Sequence, residues 1–140
     1  MWYGKAAEQG YAPAQGRLGF MYATGQGTPK DYTVAIEWLQ KAAEQGYALA
    51  QYNLGLMYDG GLGVPKDYKM ATQWFRQAAE QGHATAQCNL GIMYTTGQGV
   101  PKDYTVAIEW LQKAAQQDCA PAQYNLGVMH EGWSRGAERL

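Results

Sequence analysis

Ala48-Leu-Ala-Gln-Tyr-Asn-Leu-Gly-Leu-Met-Tyr-Asp-Gly60-Gly-Leu-Gly-Val-Pro-Lys-Asp67, followed by Tyr68-Lys-Met-Ala-Thr-Gln-Trp-Phe-Arg-Gln-Ala-Ala-Glu-Gln-Gly82, decides the fold. At ~100° per residue, Ala50, Leu54, Met57 and Tyr58 share one arc of a first helix, from Ala48 to Asp59. Leu49, Tyr52, Leu56 and Asp59 fall on the opposite arc. From Asp67 to Gln81 the same spacing gathers Tyr68, Ala71, Phe75, Ala78 and Ala79, with Trp74 at the edge. Lys69, Gln73, Arg76 and Gln77 face away. Between the two, Gly60 to Pro65 cannot continue a helix: glycines favour left-handed turns and proline lacks an N–H. Asp67 is placed to cap the second helix and Gly82 to end it.

This unit repeats along the chain. Trp2, Trp38, Trp74 and Trp110 are 36 residues apart, and so are Ala14-Gln15, Ala50-Gln51, Ala86-Gln87 and Ala122-Gln123. Leu18-Gly19, Leu54-Gly55, Leu90-Gly91 and Leu126-Gly127 keep the same step. Helices of about four turns cannot bury an apolar face alone. Stacking the units buries those faces in one continuous core, the logic of a solenoid. The reading is an all-α array of antiparallel helix pairs with eight helices. It divides into a half repeat at 1–10, repeats at 11–46, 47–82 and 83–118, and a half repeat at 119–132. The stretch 133–140 breaks the pattern, because Trp133 stands where the step would place a glycine, and is expected to be an irregular tail. Pro29 to Ala43 is identical to Pro101 to Ala115, as duplication of a two-repeat block would leave it. Its Glu37–Lys41 and Glu109–Lys113 spacings suit i, i+4 pairs on a solvated face.

Ala48-x-Ala-Gln51, Leu54-Gly55, Tyr58, Gly61-x-Gly-Val64, Asp67, Ala71, Trp74 and Ala78-Ala79 resemble the Sel1-like repeat, a relative of the tetratricopeptide repeat. The resemblance runs from Met1 to about Gly132. It implies helix pairs wound into a right-handed superhelix, a scaffold for protein or peptide contacts, and a bacterial source. Polar caps are expected at solenoid ends, and neither end carries one. The chain therefore reads either as a piece of a longer array or as an array whose ends meet, with end-to-end self-association between molecules.

Composition narrows the functions. The 140 residues carry 11 Lys+Arg against 12 Asp+Glu, a net charge of −1, which offers no electrostatic footprint for nucleic acid. No apolar run approaches the ~20 residues of a membrane span, so no membrane insertion is expected. Met1 to Gly10 lacks a basic segment followed by an apolar one, so that stretch is not read as a signal peptide. Cytoplasmic and exported settings both suit the chain.

Little of the chemistry-bearing inventory is arranged for reaction. Ser134 is the only serine, and no lysine follows it three residues on. The Ser-x-x-Lys, Ser-Asp-Asn and Lys-Thr-Gly elements of β-lactam enzymes are absent. β-lactam binding, suggested for cysteine-rich members of the resembled family, is the alternative enzymatic reading. Cys88 and Cys119 stand in register with Tyr52 and Tyr47, which favours packing, with a disulfide between them as the alternative. His83 with Cys88 is not a zinc spacing, and Gly25-x-Gly27, Gly61-x-Gly63 and Gly97-x-Gly99 are turns, not phosphate loops. No catalytic residue, metal or cofactor is expected.

The remaining candidate is the strip opposite the core on the first helices. It holds Phe20, Leu49, Tyr52, Leu56, Asp59, Cys88, Ile92, Thr95, Tyr124 and Val128, flanked by Arg17, Asn53, Asn89 and Asn125. The resemblance puts this strip on the concave surface. Exposed aromatic and aliphatic side chains beside carboxamides suit a peptide, whose backbone needs both donors and acceptors. Two readings stand. The strip is a peptide groove, or its apolar members pack neighbouring helices while the asparagines bond the adjacent repeat. A third possibility is a purely structural segment whose partner binds elsewhere in a longer array.

Overall fold

The computed structural model describes residues 2–138 and contains eight helices, with no strand among the described residues. They are α1 (Trp2–Glu8), α2 (Ala12–Thr24), α3 (Tyr32–Glu44), α4 (Ala48–Gly60), α5 (Tyr68–Glu80), α6 (Ala84–Thr96), α7 (Tyr104–Gln116) and α8 (Ala120–Glu138). Each helix packs on the ones before and after it in sequence. The most intimate pairings are α2 with α3, α4 with α5 and α6 with α7. The even-numbered helices are the first members of the pairs and the odd-numbered ones the second.

Local chemistry fixes the ends. Asp31, Asp67 and Asp103 accept from the backbone N–H of Val34, Met70 and Val106 at 3.2, 3.1 and 3.2 Å, capping α3, α5 and α7. The first helices stop at Gly25, Gly61 and Gly97, whose φ values of 74°, 65° and 75° favour a residue without Cβ. Asp118 takes the same left-handed region at φ 62°, where the earlier units have Gly46 and Gly82. Aspartate tolerates that region better than most residues.

The core follows the period read from the sequence. Leu39, Leu54, Leu90 and Leu111 are fully buried, and Phe75 is 1% exposed. Helices approach closely where the first member offers a glycine. A Cβ on Gly19, Gly55 or Gly91 would lie 2.7 Å from the side chain of Leu39, Phe75 or Leu111.

A file of glutamines ties unit to unit. Gln15, Gln51 and Gln87 are buried, and each donates through Nε2 to a backbone carbonyl eight residues earlier: Ala7, Ala43 and Ala79, at 3.1, 3.1 and 3.2 Å. Their Oε1 atoms accept from Gln45, Gln81 and Gln117 at 2.7, 2.8 and 2.9 Å. Both ends of each buried carboxamide are therefore satisfied, as burial requires.

Two expectations are corrected. The stretch expected to be an irregular tail continues α8 as helix as far as Glu138, and residues 139–140 lie outside the described residues. With Trp133 in place of glycine nothing enforces the left-handed stop, and Arg135, Ala137 and Glu138 are good helix formers. On the outer face, Lys41 and Lys113 lie over the rings of Trp38 and Trp110, at 4.7 and 4.6 Å from the centroids. Those cation–π contacts at i, i−3 hold the ammonium groups that the spacing had assigned to Glu37 and Glu109.

Candidate functional site

The strip along the first helices separates into cavities when its side chains are placed. One, about 340 Å³, lies between α2 and α4. Arg17, Phe20, Leu49, Tyr52 and Asn53 line it, together with Pro13, Gly16 and Tyr47. A smaller hollow of about 180 Å³ shares Phe20 and Asn53 and extends to Leu56 and Leu62. A third, also about 180 Å³, holds Asp59, Asn89 and Ile92. The lining of the first is mostly apolar, with a guanidinium and a carboxamide as its polar groups.

Each wall has a local cause. Pro13 occupies the first turn of α2, where a missing N–H costs nothing. Gly16 leaves room for the Tyr47 ring, to which a Cβ would come within 2.9 Å. Arg17 is exposed and lies over Phe20, 5.8 Å from the ring centroid. Leu49 is 48% exposed at the rim. Tyr52 is held by a stacked His83, with centroids 4.7 Å apart, and a tilted Phe75 at 5.9 Å. Burial raises the Tyr52 pKa, and the Asn89 carboxamide facing it pulls the other way. Tyr52 is thus a fixed wall.

His83 connects this wall to the backbone. Its Nδ1 accepts from the Ala86 N–H at 3.1 Å and so caps α6. Burial lowers its pKa below the ordinary 6.5, and the positive end of a helix dipole opposes a second proton in the same sense. The unfolded chain therefore binds more protons between the lowered value and 6.5. The stability that neutral His83 contributes is complete above pH 6.5 and is lost as pH falls through its folded pKa. Urea melts from pH 8 to pH 5 are expected to show that decline. His83→Asn, which keeps a capping acceptor without titrating, is expected to flatten it; an unchanged pH profile would remove His83 as the cause.

Other members of the strip lie differently from the expectation. Cys88 is 2% exposed, packed with Leu111, Ala114 and Ala122, and cannot meet a ligand. Its side chain is short and ends beneath its neighbours, whereas the tyrosines in register at 52 and 124 reach outward. Burial and the adjoining Cys119 push the Cys88 thiol up to about 11, and both cysteines are free. Asn125 donates to the Pro121 carbonyl of its own helix at 2.7 Å. Bonds between units include those of the glutamines and the pairing of Arg76 with the Tyr94 hydroxyl. Thr95 bonds the Gly91 carbonyl and borders a separate cavity of about 520 Å³ beside Tyr104, Ile108 and Met129. Tyr124 and Val128 are 72% and 49% exposed on α8. Tyr47 is the residue that sequence reasoning missed. An arc drawn from Ala48 excludes the cap residue before it, although an aromatic ring recurs there at Tyr11, Tyr47 and His83.

The fold defines an all-α repeat scaffold of stacked helix pairs. The Sel1 repeat family model matches residues 1–11, 12–47, 48–83, 84–119 and 120–133, and the chain belongs to the Sel1 repeat family. It is similar to c5321, a protective antigen of uropathogenic Escherichia coli, at 47% identity and TM-score 0.91. That match covers 96% of this chain but 28% of the antigen, so the chain spans little more than a quarter of that relative. A Sel1 repeat protein from Oxalobacter formigenes matches at 40% identity and TM-score 0.82, over 89% of this chain and 94% of its own. Cysteine-rich protein B of Helicobacter pylori shares the fold at 24% identity and TM-score 0.69, over 86% and 91% of the two chains. No curated protein matches. Sel1 repeats are generally non-enzymatic scaffolds that mediate protein interactions. Among the described residues no helix is long and apolar enough to cross a membrane.

Proposed function

We propose that this chain is a non-catalytic scaffold that takes a protein or peptide segment along its first helices, with the cavity between α2 and α4 as the anchor. The observation that carries the reading is that cavity: a largely apolar recess of about 340 Å³ between two first helices, with Arg17 and Asn53 among its walls. A bulky apolar side chain would fill the recess. Arg17 would meet a carboxylate or carbonyl beside it, and Asn53 can bond a peptide backbone as donor and acceptor. The absence of a catalytic role is supported by the state of the usual reactive groups. His83 spends Nδ1 on a helix cap, and Cys88 is buried with its thiolate disfavoured.

Peptides selected from a random library on the immobilised chain test this. Leu49→Arg closes the mouth of the recess at a side chain that is already half exposed, so the core is untouched. The selected peptides are expected to bind this variant at least ~10-fold more weakly, the loss of one anchor contact. Equal affinity for parent and variant would show that the cavity is not the anchor.

A further inference from the structure

One register position changes character along the first helices. Positions 16, 52, 88 and 124 hold Gly, Tyr, Cys and Tyr. The first three each meet the residue just ahead of the next first helix. Tyr52 stacks on His83 with centroids 4.7 Å apart, and the Asn89 carboxamide faces its hydroxyl. Cys88 adjoins Cys119. Gly16 meets Tyr47 but brings no side chain, and among the described residues no second ring stacks on Tyr47. The recess between α2 and α4 is therefore a place where the next unit holds a phenol of its own. Its walls are the counterparts of what surrounds Tyr52, with Tyr47 for His83 and Asn53 for Asn89. At about 340 Å³ it exceeds the ~150 Å³ cavity that accepts a benzene ring. All its walls belong to two adjacent units that are both present. Arg17 is exposed at its edge, is its charged wall, and has no acidic neighbour among the others. Asn53 and Asn89, in register with Arg17, stay partly exposed with a unit on either side, so this register faces outward inside the array too.

We propose that this recess receives a tyrosine side chain of the bound segment, ring on Tyr47 and hydroxyl at Asn53, with an aspartate or glutamate beside it on Arg17. The proposal rests on the scaffold reading above and names the residues that the anchor takes. The segment supplies the ring that Gly16 lacks, in the surroundings that Tyr52 already occupies one unit on. Stacking on Tyr47 adds to the apolar burial of the ring. The hydroxyl gives Asn53 a partner, which an aliphatic anchor would not. The recess carries one positive charge and no negative one, so the complementary flank is a carboxylate, held by charge-assisted hydrogen bonds.

Peptides selected from a random library on the parent chain are the probe. They are expected to share a tyrosine with an aspartate or glutamate within two residues of it. Replacing that tyrosine by leucine is expected to weaken binding at least ~10-fold. Replacing it by phenylalanine is expected to cost ~3–10-fold, a difference that Asn53→Ala removes. Arg17→Gln, at an exposed side chain, is expected to lower affinity and to abolish the effect of changing the peptide's acid to its amide. Gly16→Tyr puts the chain's own phenol into the recess, as at Tyr52, and is expected to release the peptides while circular dichroism shows the helices retained. If that variant does not fold, Leu49→Arg blocks the same mouth. Peptides that Leu49→Arg weakens but that share no tyrosine, or that accept leucine in its place, overturn this inference and leave the scaffold reading standing. Binding indifferent to Leu49→Arg, or a library that yields no binder, overturns both.

Discussion

Phe75→Ala is expected to cost about 3–5 kcal/mol in a urea melt followed by circular dichroism. Phe75 is 1% exposed, its ring lies against Gly55, and Tyr52 leans on it with centroids 5.9 Å apart. The helix around it cannot close over the void without moving α5 away from α4 or α6. A solenoid gains stability from each unit and from each interface between units. Truncation in the middle pair therefore weakens two interfaces at once, and the transition is expected to broaden as well as shift. Against a total of ~5–15 kcal/mol for an ordinary domain, this variant is near the limit of folding. A loss below ~1 kcal/mol would mean that the ring does not hold the units together.

Gly55→Leu produces the opposite fault at the same contact. The new Cβ alone would sit 2.7 Å from two atoms of the Phe75 ring, so the crossing must open. Overpacking of this kind costs about 1–3 kcal/mol, and more when the neighbour is as enclosed as Phe75. Combining it with Phe75→Ala is expected to recover part of both losses, since leucine enters the space the ring vacates. The double variant should be more stable than the sum of the singles by ~0.5–3 kcal/mol. Gly127→Leu is the matched control at low protein concentration: the same substitution meets open space and should leave stability unchanged or improve it by up to ~1 kcal/mol. Equal effects at positions 55 and 127 would mean that close helix approach is not what glycine provides here.

Much of this was legible in the chain itself, and the reasons are local. The period of 36 placed every helix, and the arcs containing Leu54 and Phe75 placed the core, because those depend on angles within one helix and on distances along the sequence. Residues whose fate depends on a neighbouring unit were harder. Cys88 has the angular position of an exposed residue and is roofed by its neighbours Ala122 and Cys119. The asparagines looked like the carboxamide ladder, yet Gln15, Gln51 and Gln87 form it, since the turn between helices brings the carbonyl eight residues earlier within reach. That reach cannot be seen on a helical wheel. Tyr47 entered the groove because the cap residue points back over α2. The end of α8 differs for another reason: Trp133 in the glycine position breaks the repeat pattern, which suggests an irregular tail, but losing the glycine stop lets the helix continue.

The glutamine relay gives the array a direction: Gln15, Gln51 and Gln87 each donate to a carbonyl eight residues behind and accept from a glutamine thirty residues ahead. A few residues gained or lost inside a helix pair would put the donor and acceptor that flank the change out of step. Adding or removing a complete module leaves the file unbroken. Change by whole modules is the change this relay tolerates, and the identical strings at 29–43 and 101–115, two repeat steps apart, fit it.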